Sequence, residues 1–335
     1  MEFIPDIALN EYSALRVGGT ARGLYAVSSD EDVVKALDEI AKMGSRVYVI
    51  GAGMNTYFGD GKHDDLVLLR VGIKGISVQP SVIEGKVLTV GAGEDWDAVV
   101  DRAAAEGVWG IEALAGIPGT AGAAPIQNIG AYGTEAADSI EAVEVYDRKN
   151  KEIRGIPARL CGFGYRSSIF NGVERDRYII LRVRFWLHQK RRRALPKEVV
   201  EKSESAITPK EVGDQIRAIR KQKLPDYIAH PNCGSFFKNP VIEKIIAEKL
   251  HEQYKEMPQF QSGDGMKLSA AWLIEQAGLK GKTWGNVSVS SKHALVLETN
   301  GKASAAEVAD AISAISGAVY NMFSVTLLPE PNFIP

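Results

Sequence analysis

Ala115-Gly-Ile-Pro-Gly-Thr-Ala-Gly-Ala-Ala-Pro-Ile-Gln-Asn-Ile-Gly-Ala-Tyr-Gly133 decides how this chain reads. The stretch holds Gly116, Gly119, Gly122, Gly130 and Gly133, two prolines, the amide pair Gln127-Asn128 and no charged side chain. A run so poor in side chains packs weakly by itself. It offers bare backbone that a bulky ligand can approach, with N–H groups free to face a phosphate or a polar ring edge. The plain alternative is a tight surface loop between strands, but such a loop would be shorter and more polar.

Working outward, the flanks alternate strand and helix patterns. Ser28-Ser-Asp-Glu31 reads as a capping box opening a helix to about Met43, with Val33, Val34, Leu37, Ile40 and Ala41 on one face. Arg46-Val-Tyr-Val-Ile50 reads as a buried strand running into the turn Gly51-Ala-Gly53, and Leu66 to Arg70 as a second strand. A strand from Val87 to Gly91 and a helix from Asp95 to Glu106 lead into the glycine-rich stretch. Beyond it lie strands Ala142 to Tyr146 and Tyr178 to Leu187. In the latter, Ile179, Leu181, Val183, Phe185 and Leu187 keep the two-residue period of one sheet face. The basic run Lys190-Arg-Arg-Arg193 marks a boundary and reads as a solvated connector rather than an anion site. Thr208-Pro-Lys-Glu211 starts a helix to about Lys221, with threonine as cap, proline first and glutamate third. Helices from Leu268 to Gln276 and from Ser304 to about Met322, with strands near Val287 and from Ala294 to Leu297, complete a C-terminal α/β region.

At 335 residues the chain exceeds one ordinary core, so two or three domains are expected. With 45% apolar and 24% charged residues it has the balance of a soluble globular protein. A net charge of -2 argues against nucleic acid or an anionic membrane as the main partner. Cys161 and Cys233 are far apart, which suits a reducing cytoplasm and leaves no disulfide framework. No basic start or apolar h-region follows Met1, so no signal peptide is expected. No run approaches about 18 uninterrupted apolar residues, so no transmembrane helix is expected. His63, His188, His230, His251 and His293 show no spacing for a metal site.

Three clusters carry candidate chemistry. Gly51-Ala-Gly-Met-Asn55 follows a strand and invites a dinucleotide reading, but Thr56 stands where the Rossmann fingerprint needs glycine or alanine. Tyr57-Phe-Gly-Asp-Gly61 does not open a helix, so a non-Rossmann phosphate cradle of backbone N–H groups remains. Gly162-Phe-Gly-Tyr-Arg-Ser-Ser-Ile-Phe170 places Tyr165 and Arg166 in a loosened segment, where the arginine either clamps a carboxylate or closes a structural salt bridge. Lys223-Leu-Pro-Asp226 and Asn232-Cys-Gly-Ser-Phe-Phe-Lys-Asn-Pro240 form the third. No Gly-x-Ser-x-Gly elbow surrounds Ser235, and no C-x-x-C pattern activates Cys233, which reads as buried and inert.

In order along the chain, Pro118-Gly-Thr-Ala-Gly122, Pro125-Ile-Gln-Asn-Ile-Gly-Ala-Tyr-Gly133, Phe163-Gly-Tyr-Arg-Ser-Ser-Ile-Phe170, Lys223-Leu-Pro225, Gly234-Ser-Phe-Phe-Lys-Asn-Pro240, Ala271-Trp-Leu-Ile-Glu-Gln276 and Leu328-Pro-Glu330 resemble the motifs of the bacterial UDP-N-acetylenolpyruvoylglucosamine reductase (MurB) family. Singly each is weak; the ordered set spans nearly the whole chain. The resemblance implies an α/β (α+β) fold: FAD-binding lobes of the vanillyl-alcohol-oxidase/PCMH type at 1–71 and 72–205, a substrate-binding α/β domain at 206–328, and a C-terminal segment, 329–335, carrying Glu330. It implies non-covalent FAD, NADPH as co-substrate and a UDP-sugar substrate, whose enolpyruvyl ether is reduced to UDP-N-acetylmuramate for peptidoglycan synthesis. A monomer in the bacterial cytoplasm is the family's default.

By the family's pattern Arg166 faces the charge that builds on the substrate as an enolate. Glu330 matches a catalytic glutamate acting in a protonated or hydrogen-bond-sharing form, and Ser235 matches the group that protonates the second carbon. FAD contacts map onto Gly51, Gly53, Asn55, Gly116, Pro118, Gly119, Gly122, Ala123, Gln127, Asn128, Gly130 and Gly133. Substrate contacts map onto Tyr165, Lys223, Asn239 and His293; no metal is implied. Three places depart from the pattern. Met54 replaces a serine of the first phosphate loop. Arg193-Ala-Leu-Pro-Lys-Glu198 lacks the tyrosine that in some members folds over the nucleotide. Pro331-Asn332 stands where the family often has valine-arginine. Two rivals are a flavin oxidase of the same fold acting on a hydroxy acid, and a non-catalytic UDP-sugar sensor.

Overall fold

A computed structural model describes residues 1–199 and 207–335. The boundary expected between 205 and 206 lies outside the described residues. The chain forms two compact units, each built from separated pieces. Unit 1 takes Met1–Ile7, Ala21–Ala52 and Asp64–Arg220; unit 2 takes Ala8–Thr20, Gly53–His63 and Lys221–Pro335.

Unit 1 contains two sheets. One has four strands in the order Glu2–Ala8, Thr20–Val27, Lys62–Val71, Arg46–Ile50, the last two parallel. Its helix, Asp30–Lys42, buries Val33, Ala36 and Ile40. Ser29, not Ser28, is its cap, accepting from the Asp32 amide. The reading is one residue early because both serines can cap; Ser28 is taken up by the Asp32 carboxylate instead.

The second sheet is antiparallel, in the order Glu152–Pro157, Ile140–Asp147, Tyr178–Leu187, Lys86–Gly91, Ile76–Pro80. Its central strand keeps the expected alternation: Ile179, Leu181, Val183, Phe185 and Leu187 are all buried. Burying each such side chain is worth about 1.5–3 kcal/mol. Trp96, first residue of helix Trp96–Ala105, packs 5.7 Å from Phe185 and donates from its indole to Leu114 O at 3.0 Å. Where strand Lys86–Gly91 ends, Ala92 N donates to Leu181 O at 2.9 Å while Ala92 O accepts from Gly122 N at 2.9 Å. At this point the glycine-rich stretch is tied to the end of the sheet by backbone hydrogen bonds. The arginine run lies along this unit. Arg191 covers the Trp109 ring, Arg192 covers Trp186, and Arg193 pairs with Asp138 at 2.7 Å.

Unit 2 has a four-stranded antiparallel sheet in the order Asn232–Ser235, Val296–Thr299, Val287–Val289, Thr283–Trp284, and a three-stranded one of Val241–Glu243, Gly265–Leu268 and Gln259–Ser262. Helix Ala305–Phe323 opens with the expected capping box of Ser304 and Glu307. Asp60 adds a second cap, its carboxylate accepting from the Ala305 and Ala306 amides at 2.9 and 3.2 Å. Helix Ala270–Gln276 starts later than expected, because Leu268 ends a strand and Ser269 caps. Helix Lys244–Gln253 was not legible: only Ala247 and Leu250 are buried, too few to mark a stripe.

A Cβ built on Gly122 would lie 2.6 Å from Ala92 Cβ and 3.0 Å from its Cα and O, with no left-handed φ involved. Gly122→Ala is therefore expected to lower the unfolding free energy by about 1–3 kcal/mol through overpacking, read as a lower urea midpoint at unchanged slope.

Candidate active site

In unit 1 the glycine-rich stretch runs with Gly116, Gly119 and Gly133 at φ 70°, 131° and 78°, backbone that side-chain-bearing residues adopt only under strain. Gly51 joins it: a Cβ there would lie 2.5 Å from Thr120 Oγ1. Two candidate cofactor stretches far apart in sequence thus meet at bare backbone, with Pro118, Ala123 and Gln127 half-buried beside them. This fits a bulky, phosphate-bearing group such as FAD, because the positions where side chains would fill the surface carry none. Gly122 and Asn128 have structural tasks as well. Asn128 is fully buried; its amide donates to Glu135 Oε2 at 2.7 Å and Gly164 O at 3.1 Å and accepts from Ala137 N at 2.9 Å.

The loop bearing Tyr165 and Arg166 is folded onto this stretch. Gly164 and Ser167 exchange backbone hydrogen bonds of 3.0 and 3.2 Å, closing a tight turn with Arg166 at φ 51°. Ser168 Oγ donates to Ile126 O at 2.6 Å, and Asn171 Nδ2 donates to Arg166 O at 3.2 Å. The Arg166 guanidinium donates to Gly130 O at 2.8 Å and reaches Asn128 O at 3.5 Å; it lies 5.3 Å from the Tyr165 ring centroid. Asn128, Tyr132 and Arg166 all have left-handed backbones. Such conformations persist where surrounding bonds over-determine them, and they gather at ligand sites.

In unit 2, one backbone ladder joins Phe236 to Lys238, directly after Ser235, with Leu328 to Glu330. Glu330 N donates to Phe236 O at 2.8 Å, Phe237 bridges Pro329, and Lys238 N donates to Leu328 O at 2.9 Å. Phe236 and Phe237 are buried while Ser235 is exposed, so the aromatic pair anchors the strand end that presents the hydroxyl. Strand Asn332–Ile334 pairs in parallel with Thr56–Phe58, and Asn332 N donates to Asn55 O at 2.9 Å. Asn55 Nδ2 reaches Glu330 O at 3.5 Å. Asn55, expected at the cofactor, thus also holds the segment bearing Glu330, and Asn332 enters as a positioning residue. No sequence signal pointed to this, since the two asparagines stand 277 residues apart.

Gly53 is required where it stands: its φ is 68°, and a Cβ would fall 2.1 Å from Tyr12 O. Burial pushes the Cys233 thiol well above its ordinary range, and the Glu330 carboxylate adds to the shift. Cys233 is a neutral buried neighbour of the site rather than a nucleophile. Asn239 Oδ1 accepts from Ala270 N at 2.9 Å, covering the start of helix Ala270–Gln276. His293 Nδ1 accepts from Leu295 N at 3.2 Å. Burial lowers the pKa of its half-buried imidazole; Lys280 and Lys223 lower it further, against Glu275. Among the described residues no group of three or more His, Cys, Asp or Glu is placed to hold a metal ion.

Fold and site define a flavin-type oxidoreductase: residues 21–155 match the FAD binding domain family. Residues 226–334 match the UDP-N-acetylenolpyruvoylglucosamine reductase C-terminal domain. The UDP-N-acetylenolpyruvoylglucosamine reductase of Ralstonia nicotianae is 37% identical over 336 residues, covering 98% of each chain. That of Pseudomonas aeruginosa is 36% identical, covering 99% of each. The chain belongs to the UDP-N-acetylenolpyruvoylglucosamine reductase family. The crystal structure of UDP-N-acetylenolpyruvylglucosamine reductase (MurB) from Thermus caldophilus superposes over 100% of both chains with TM-score 0.69 at 24% identity, so the fold is shared.

Because the folded state favours neutral His293, its contribution to stability is full above the ordinary imidazole value of about 6.5 and is lost as pH falls through the lowered folded value. Between about pH 7 and about pH 5, the unfolding free energy of the wild type is expected to fall more steeply than that of His293→Gln. Urea melts at a series of pH values measure the difference.

Proposed function

We infer that this chain catalyses the FAD-dependent, NADPH-driven reduction of UDP-N-acetyl-3-O-(1-carboxyvinyl)-glucosamine to UDP-N-acetylmuramate in peptidoglycan precursor synthesis. The observation that carries the reading is the ladder in which Glu330 N donates to Phe236 O at 2.8 Å, one residue along the chain from the exposed Ser235. When bound, FAD supplies hydride chemistry, taking reducing equivalents from NADPH and delivering them to the vinyl group.

The chain's own residues answer the charge that this creates. Arg166, its backbone locked and its guanidinium oriented by Gly130 O, binds the substrate carboxylate and stabilises negative charge growing beside it. Ser235 Oγ gives its proton to the carbon next to that carboxylate. A serine is a weak acid, but the acceptor is a strong carbon base, so the transfer runs downhill. Glu330 shares a hydrogen bond there in its protonated form, since a bare carboxylate would repel the developing enolate. Lys223 and His293 are electrostatic neighbours and take the substrate's diphosphate side. Asn239 orders that side by capping its helix, and Tyr165 borders Arg166. No described helix is long and apolar enough to cross a membrane. A monomer working in the bacterial cytoplasm is the assignment proposed here, its water-soluble nucleotide substrates being the supporting chemistry.

Anaerobic spectroscopy tests the reading. The flavin band of the wild type is expected to bleach with NADPH and return on adding the enolpyruvyl UDP-sugar. Ser235→Ala should bleach normally and recover more slowly by about a hundred- to ten-thousand-fold. A band that only oxygen restores would put the oxidase reading in its place.

A further inference from the structure

Helix Pro209–Lys223 carries two arginines of opposite character one turn apart. Arg217 is an ordinary structural cation. Its guanidinium bonds both Asp97 oxygens at 3.0 and 2.8 Å, Asp101 at 2.5 Å and Asp214 at 3.1 Å. Arg220 has one hydrogen-bond partner among the described residues: its Nε donates to Gly116 O at 3.0 Å. No described carboxylate pairs with it. Asp97, whose charge acts on it, is already bonded by Arg217 and by the Gly116 amide at 2.7 Å. Among the described residues the terminal nitrogens of Arg220 have no acceptor.

Leaving a cation in that position is costly. Burial is the largest influence on Arg220 and works against its charge, with Tyr132 and Asp97 only partly offsetting it. A partly buried charge without a carboxylate partner tends to destabilise a fold, and an apolar side chain of similar length would not bear that cost. The location suggests what the charge is for. Gly116 opens the bare-backbone stretch, in left-handed conformation, and Tyr132 closes it, also left-handed. Arg220 bonds the first and is an electrostatic neighbour of the second. Its charge therefore acts on the surface read as the cofactor cradle.

We propose that Arg220 is the cation unit 1 holds in reserve for the negative charge of bound FAD. This rests on reading the chain as an FAD protein. FAD carries negative charge at its diphosphate always, and on the pyrimidine edge of its ring when reduced by two electrons. Either suits a guanidinium whose terminal nitrogens have no acceptor among the described residues.

The test uses the full chain, stripped of flavin, as wild type, Arg220→Met and Arg220→Lys. Three quantities are measured: the apoprotein melting temperature, FAD affinity by fluorescence quenching, and the midpoint potential of the bound flavin. The Arg220→Met apoprotein is expected to melt no lower than wild type, because an uncompensated charge has gone. Its FAD affinity is expected to fall by about tenfold or more if Arg220 faces the diphosphate. With affinity kept, a lower midpoint potential assigns it to the ring edge. Arg220→Lys should recover part of whichever property is lost. An Arg220→Met variant with unchanged affinity and potential overturns the proposal, as does one whose apoprotein melts below wild type, since that marks a structural residue. Wild-type protein that takes up no FAD overturns the reading beneath it.

Discussion

The Gly122 amide meeting the Ala92 carbonyl at 2.9 Å is the constraint on which the unit 1 site depends. It ties a segment with almost no side chains to the end of a sheet whose core is closed by Leu181, Val183 and Phe185. A ligand surface made of backbone cannot be held by its own side chains. It must be held from behind, by hydrogen bonds and by contacts close enough to exclude a methyl group. Asn128, buried and triply bonded, does the same further along, and the Arg166 loop is then folded onto the carbonyls that remain. Rigidity in the sheet thus becomes rigidity in a surface that contains little of its own.

Charge follows a similar division. The fully buried Asp147 is gripped by Arg177 at 2.8 Å, which holds its carboxyl down to about 2. Arg182 is shared between Asp30 and Glu144. These pairs are closed on themselves and serve the fold. Arg166 also donates to the backbone carbonyls of Gly130 and Asn128, whose partial charges help orient its guanidinium.

Much of this was legible because it is local. The capping boxes at Thr208 and Ser304, the period-two pattern of the central strand and the glycine spacing each lie within one element and fix its type directly. The ordered motifs then fixed the fold family and named Arg166, Ser235 and Glu330 together. What stayed hidden is non-local. The parallel pairing of Asn332–Ile334 with Thr56–Phe58 joins segments nearly a chain length apart, and three residues carry no period. Asp60 as the second cap of a helix beginning at Ala305 is equally invisible, since capping rules look only a few residues away. The one-residue error at Ser29 arose where two adjacent serines satisfied the same rule.

Unit 2 is discontinuous, and that has a consequence for how the chain is made. Its first pieces, Ala8–Thr20 and Gly53–His63, leave the ribosome long before their partners in Lys221–Pro335. Leu15, Val17 and Tyr57, which end up in the unit 2 core, have nothing of that core to pack against while Asp64–Arg220 is being synthesised. Unit 1 can condense first, threaded through by two apolar segments that belong elsewhere. Until Lys221–Pro335 emerges, these apolar side chains lack their native partners, the kind of surface that favours association with other chains. Folding of the second core waits on elongation, a constraint set by chain order rather than by the packing of the finished protein.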